Sequence, residues 1–368
     1  MSATETRTVT RGSGVGRRNW ADRLPLVKDV RRSYGIQRGM LVTGLVLTGL
    51  LLLVALLAPV LAPYSWAQQG DDAGAFGPQQ APSARNWLGT TVSGFDVLSR
   101  VIWGSQTAVA VIILAVLFSS VIGVLLGLVS GYVGGWLDRI LVVIADAVYA
   151  FPSLLLAIVL SIVISGGQSS AFGGIVAAAG SITVVFIPQY FRVIRAEAVR
   201  LKAEPFVESA KVLGVSTTRI MFRHVLRNST RTLPLIITLN CSEAILTLAG
   251  LGFVGFGIEQ TAAAEWGYDL NRALSDVTSG IWWTSVFPGV AIVLAVLGIT
   301  LVGESLNDLA DPRLRTRKGV RRGSTNVAAA SAGSAGSLAD ADGATRASAS
   351  GDATGQPASG LEKEGGAR

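Results

Sequence analysis

The sequence predicts an all-α polytopic membrane protein with six transmembrane helices, and three observations predict it. Half of the 368 residues are hydrophobic and 15% are charged, where a soluble domain carries about 25% charge; the mean hydropathy is +0.51. The apolar residues gather into runs long enough to cross a bilayer, which takes roughly 20 residues. The Lys and Arg residues collect on one side of those runs.

Met40 to Ala62 carries no charge and is the first span. The polar arm before it, residues 1–39, is too long for a signal-peptide n-region, so the first span is read as an uncleaved membrane helix. Residues 63–100, rich in Pro, Gly, Gln and Asp, read as an extramembrane loop. Trp103 to Gly131 is the second span, and Gly134 and Gly135 turn the chain. Asp138 and Arg139 open the third span, which ends near Ile164 and contains Pro152, a kink or a freed carbonyl. The break at 166–174 precedes the fourth span, Ile175 to about Ile194. Leu233 to Ile258 and Ile281 to Val302 are the fifth and sixth. Ser119, Gly123, Gly127 and Gly131 recur every four residues in the second span, a spacing that lets helix backbones approach closely in lipid.

Six spans put both termini on one side. With the termini inside, 28 of the 31 Lys and Arg lie on inner segments, and only Arg85, Arg100 and Arg272 lie on outer ones. That asymmetry makes both termini cytoplasmic. The chain then divides into a cytoplasmic arm (1–39), a transmembrane domain (40–305) and a cytoplasmic tail (306–368). From about residue 323 the tail lacks the apolar surface to offset its ordering entropy and is expected to be disordered.

The basic residues flank apolar spans instead of forming one patch, so the pI near 9.9 reports topology and contact with membrane lipid rather than nucleic acid. Cys241 is the only cysteine and His224 the only histidine, which leaves no residue set for a metal centre or a catalytic triad. No G-x-x-x-x-G-K-[ST] occurs, so the chain has no P-loop for ATP.

Between the fourth and fifth spans lies a polar island, Phe191 to Thr232, holding nine Lys and Arg. Pro205 suits the first position of a helix. Phe206, Val207, Ala210 and Leu213 recur at helical spacing. Glu208 lies in the first turn, where the helix dipole favours an acid, and Gly214 follows where a left-handed cap wants Gly. Ser216 can cap a second helix bearing Ile220, Met221 and Leu226. On spacing alone this is either an interfacial hairpin that links two spans or a docking element for a cytoplasmic partner.

The pattern Glu208, Ser209, Ala210, Gly214 resembles the EAA-x3-G loop of ABC importer permeases. The wider likeness is to the permease subunits of dipeptide, oligopeptide and nickel importers, and covers most of residues 86–315. It rests on Leu88 to Thr90, Gly94 to Arg100, Gly131 to Trp136, Ala150 to Leu155, Phe222 to Leu226, Gly255 and Gly257, Trp266 and Gly267, and Asp311 to Leu314. Ser209 replaces the first Ala of the triplet, Arg227 stands at a usual Pro, Thr91 and Phe95 at a usual Asp and Arg, Leu248 at a usual Glu, and Gly252 at a usual Ser.

The resemblance implies a type I ABC importer permease fold in the bacterial inner membrane. The loop at about 195–231 would grip an ATPase through Glu208, Ser209, Ala210 and Gly214. The implied partners are a second homologous permease, two ATPase subunits that bind ATP and Mg, and an extracytoplasmic solute-binding protein. The chain would be no enzyme and hold no cofactor or metal. Peptides are the implied cargo, with nickel or another small solute as the alternative. A self-sufficient channel or secondary transporter is the alternative from another class; it would need an ion-coupling site or inverted repeats.

Two carboxylates lie inside spans. Asp146 is about 10 Å from the end of its helix, where it pairs with a Lys or Arg at the interface or serves function. Glu243 is about ten residues into the fifth span, near the bilayer midplane. It is the candidate pathway residue, facing a cationic cargo group; the alternative is a packed acid bonded to Asn240, Ser242 or a partner helix.

Overall fold

The computed structural model describes residues 36–166 and 171–310. The N-terminal arm as far as residue 35, residues 167–170, and the tail from 311, with the disorder expected there, lie outside the described residues. Five helices are long and apolar enough to cross a membrane, and a sharply bent pair supplies the sixth crossing when counted as one. The all-α polytopic architecture expected from the apolar runs is therefore present.

Helix α1 (Ile36–Leu56) is the first span; a break at Leu57 and Pro59 leaves only the single turn α2 (Ala58–Leu61) of its expected end. Helix α3 (Val97–Val133) is 37 residues long, about 55 Å by helical rise, so it projects well beyond the roughly 30 Å hydrocarbon layer. Asp96 starts it, its carboxylate accepting the Ser99 N–H at 2.8 Å.

The expected third span is two helices, α4 (Gly135–Ala150) and α5 (Ser153–Ser165), bent by 99°. The kink anticipated at Pro152 is a full elbow. Phe151 is extended at φ −84°, ψ 141°, as the residue before a proline prefers, and α5 alone spans only about 20 Å. Two ion pairs hold α4 against α6 (Ala171–Lys202): Arg195 grips Asp138 through Nε at 2.5 Å and Nη2 at 2.7 Å, and Arg192 reaches Asp146 at 2.7 Å. Asp146 thus has an Arg partner, as one reading of the sequence offered.

Helix α6 does not end near Ile194. It runs on through the first part of the polar island, because Arg, Ala and Glu continue a helix readily and Arg200 pairs with Glu197 and Glu204 one turn either side. Ala198 and Leu201 are buried in this extension.

The small-residue stripe of α3 lies along α6. A Cβ added at Gly127 would stand 2.5 Å from the Phe191 carbonyl oxygen, and one at Gly131 2.6 Å from that of Arg195. Backbone meets backbone there, as the four-residue spacing predicts. One buried cluster, including Val111, Ala115, Ile182, Phe186, Ile245 and Leu248, joins α3 and α6 to α10 (Leu233–Phe253) and α13 (Trp283–Ala310). Apolar side chains such as Leu50, Leu117, Val159 and Val293 stay exposed on the outside of this bundle, a face suited to lipid.

Residues 62–96 form an ordered cap, with a short hairpin β1 (Gly70–Asp71) and β2 (Gly74–Ala75). Arg85 pairs with Asp71 and lies over the Phe76 ring. Helices α11 (Trp266–Arg272) and α12 (Leu274–Thr278) close the same end. Arg100, counted among outer charges, is 1% exposed. Its Nε–H is shared between both Asp269 oxygens at 2.8 Å, and its Nη groups reach the carbonyls of Trp66, Gln260 and Ala263.

Candidate coupling loop and pathway

Past Lys202 the chain turns into α7 (Pro205–Val212), with Pro205 at its first position and Glu208 in its first turn. Gly214 ends it at φ +71°, a left-handed conformation that costs a side chain about 1 kcal/mol or more. The Val215 N–H donates to the Ala210 carbonyl at 3.1 Å and the Gly214 N–H to that of Lys211 at 3.0 Å. This is a Schellman turn, so the stop signal read at Gly214 is a real one. Ser209 donates its hydroxyl back to the Pro205 carbonyl at 2.9 Å.

The apolar face expected on α7 is divided. Val207 and Ala210 are buried within the chain, packed with Val124, Leu128 and Tyr132 of α3, Ile194 and Ala198 of α6, and Ile220 and Val225. Phe206 is 39% exposed, Val212 84% and Leu213 81%. One half of the face fixes the helix to its own spans, and the other half stands clear. The second helix of the island is more broken than expected: α8 (Thr217–Arg219), a π turn (Ile220–Val225) and α9 (Leu226–Ser229). Ser216 takes the N-cap position of α8 but makes no side-chain cap bond.

The basic residues divide in the same way. Arg192, Arg195 and Arg200 are held by carboxylates, and Lys202 lies 5.6 Å from the centre of the Tyr132 ring. Among the described residues, Lys211, Arg219, Arg223 and Arg227 are exposed without an ion pair, and the Glu208 carboxylate is exposed without one too. Glu208, Lys211, Val212 and Leu213 therefore give the end of α7 one acid, one cation and two uncovered aliphatic side chains. His224 is half-buried, and its carbonyl accepts from Asn228 at 2.9 Å.

Glu243 lies on α10, and its side chain makes no bond to Asn240 or Ser242. Asn240 is fully buried, and Ser242 accepts instead from Thr300 at 3.0 Å. The packed alternative through those two residues is not what the chain forms. Glu243 lines a cavity of about 240 Å³ in the elbow of α4 and α5, with Tyr149, Phe151 and Ser153 from the elbow and Phe186 and Gln189 from α6. Sequence reasoning found the acid but not its company: Tyr149, Phe151 and Ser153 line the same cavity because of the elbow, and no local spacing encodes that meeting.

Residues 123–316 match the family described as binding-protein-dependent transport system inner membrane component. Residues 37–82 match the N-terminal TM domain of oligopeptide transport permease C. The dipeptide transport system permease protein DppC of Alkalihalophilus pseudofirmus is 34% identical over 275 residues, 75% of this chain and 86% of that protein. The glutathione transport system permease protein GsiD of Pectobacterium atrosepticum is 35% identical over 267 residues, 73% of this chain and 85% of that protein. The protein of the same name from Escherichia coli O157:H7 is 35% identical over 276 residues, 75% and 87% respectively. With a family match over more than half its length and relatives about 35% identical over most of theirs, the chain belongs to the binding-protein-dependent transport system inner membrane components, the membrane-spanning permease subunits of ABC importers.

Proposed function

We propose that this permease conducts short peptides, forming one half of a pathway whose other half is a second, homologous permease. Relatives named for dipeptide and glutathione transport support peptide cargo; nickel or another small solute would use the same architecture. Two ATPase subunits bind the ATP and Mg, so this chain needs no cofactor of its own. A solute-binding protein delivers cargo to the end capped by residues 62–96 and α11. Both termini are cytoplasmic, and the membrane is the bacterial inner membrane.

The observation that carries the coupling role is the divided face of α7. Val207 and Ala210 anchor the helix, while Phe206, Val212 and Leu213 stay uncovered beside an exposed Glu208. A short amphipathic helix presented in this way suits a groove on a partner protein, here the ATPase. Anchored by its other half, it would pass a push from that partner directly to α3 and α6.

The test is affinity purification of the tagged chain with its operon neighbours. ATPase subunits should come out with it, and ATP-dependent uptake of a labelled dipeptide should follow in vesicles. A chain that purifies alone and conducts without ATP would overturn the reading.

A further inference from the structure

We infer that the elbow cavity beside Glu243 is a binding site for a protonated amine, which the cargo presents as it passes. The inference rests on the peptide-importer reading and deepens it.

The cavity lies where α4 and α5 bend by 99° around Phe151 and Pro152, against α6 and α10. Glu243 is about 15 Å along α10 by helical rise, the depth at which an ionisable group is costly unless it meets water or a partner. Among the described residues its carboxylate has neither a hydrogen bond nor an ion pair, and the Gln189 side chain, which lines the same cavity, has no hydrogen bond. Two polar groups without partners thus line one cavity.

The charges around the cavity fix the sign of its occupant. The nearby cation, Arg192, is committed: it pairs with Asp146 at 2.7 Å and lies 4.2 Å from the centre of the Tyr149 ring. Asp146 and Arg192 cancel, and among the described residues Glu243 is the one charged group on the cavity wall. Tyr149, Phe151 and Phe186 add aromatic surface, which attracts ammonium groups. One carboxylate with the neutral side-chain oxygens of Gln189, Ser153 and Tyr149 falls short of the oxygen set of a hard metal ion, which takes about six or more. At about 240 Å³ the cavity falls below the ~300–1,000 Å³ that encloses a drug-sized ligand, so it takes a head group rather than a whole cargo. A free amino terminus has the charge, the three donors and the size.

The test uses the full chain in its assembled complex. Cys241 is the only cysteine of this chain, so Cys241→Ser removes its own thiol, and the complex carrying that change alone is the control for Ser153→Cys, with Gln189→Cys as a second vantage point. Reaction rates with a trimethylammonium-ethyl and a sulfonatoethyl methanethiosulfonate are compared with and without Glu243→Gln. Glu243 should favour the cationic reagent, and Gln should reduce that preference about tenfold. In parallel, uptake of a dipeptide is compared with that of its N-acetyl form. Glu243→Gln should erase the preference for the free amine while leaving ATPase subunits bound.

An unchanged reagent preference, no reaction at either cysteine, or loss of the partner permease from Glu243→Gln would overturn the site. The last outcome would mean that Glu243 pairs across the subunit interface. If no dipeptide is taken up while the reagent preference responds to Gln, the site stands and the peptide reading fails.

Discussion

Gly252 of α10 lies directly against the carboxyl group of Glu265. A Cβ at Gly252 would overlap the Glu265 Oε2 and stand 2.5 Å from the Tyr268 amide nitrogen; one at Gly257 would come within 3.2 Å of the same oxygen. The two glycines make room for a carboxyl that caps α11 from inside, accepting the Gly267 and Tyr268 N–H groups at 2.7 Å each. The cap sets Trp266, whose indole donates to the Val101 carbonyl at 3.0 Å. One glycine thereby ties α10, α11 and the start of α3 together.

Gly252→Ala should destabilise the permease by about 1–3 kcal/mol, the usual cost of forcing extra volume into a packed site. Glu265→Ala should cost about 1–2 kcal/mol as a lost cap. The double variant should cost less than the two added together, because each change relieves the other. Thermal unfolding of the detergent-purified complex measures all three. Simple additivity would show that the glycine and the acid do not share this space.

The same carboxyl makes stability depend on pH. Burial pushes Glu265 up to about 8 from an ordinary value of 4.5, against its two backbone donors, which lower it. Between these values the folded chain keeps a proton that the unfolded chain has released. Stability should therefore fall as pH rises from 4.5 towards about 8, then level off. In Glu265→Gln this slope should flatten, whatever the overall loss from the altered cap. Unfolding midpoints at intervals across that range give the answer, and parallel slopes for the two proteins would assign the pH dependence elsewhere.

The parts legible in the sequence were those written in local spacing. Apolar runs showed the spans, the four-residue repeat from Ser119 to Gly131 showed the α3 contact stripe, and Pro205 and Gly214 marked both ends of α7. Interactions between distant segments were hidden. Arg100 reads as an outer charge because Asp269, which buries it, is 169 residues away. Pro152 announces a bend but not its 99°, and the arginines that hold Asp138 and Asp146 against α6 lie 57 and 46 residues further on. The island looked like a loop from Phe191 because charge marks the edge of the membrane, and charge does not stop a helix. Glu208, Ser209, Ala210 and Gly214 could be placed in advance; that Val207 and Ala210 would face inward and Leu213 outward could not, because both sides of α7 are apolar.

The divided face of α7 predicts a separation of folding from coupling. Glu208→Lys changes an exposed side chain that has no ion pair among the described residues, and Leu213→Ser removes uncovered apolar surface; neither touches the packed side. Both variants should insert and melt like the parent yet lose ATPase association and uptake. Gly214→Val strains the +71° turn, by about 1–2 kcal/mol, and should lose coupling together with some stability. Full uptake in all three would make the loop a linker between spans.

Arg100 and Asp269 predict the opposite pattern, a loss of fold before any specific loss of function. Their side chains are 2% and 4% exposed, and Arg100 also holds three carbonyls, on Trp66, Gln260 and Ala263. Arg100→Met leaves the Asp269 carboxylate buried with only the Gln260 amide, at 2.8 Å, as a side-chain partner. Breaking a buried pair from one side costs about 3–5 kcal/mol. Lys cannot replace the arginine, because one ammonium has too few donors and the wrong geometry for a carboxylate and three carbonyls. Replacing both partners with apolar residues, Arg100→Met with Asp269→Leu, should recover much of the pair's share of the loss. It should not restore the carbonyl contacts, so residues 63–96 should stay more open to protease than in the parent. Protease cutting in that segment, read beside the melting temperature, separates the two contributions. If Arg100→Met melted and resisted protease like the parent, the pair would not hold this end of the permease together.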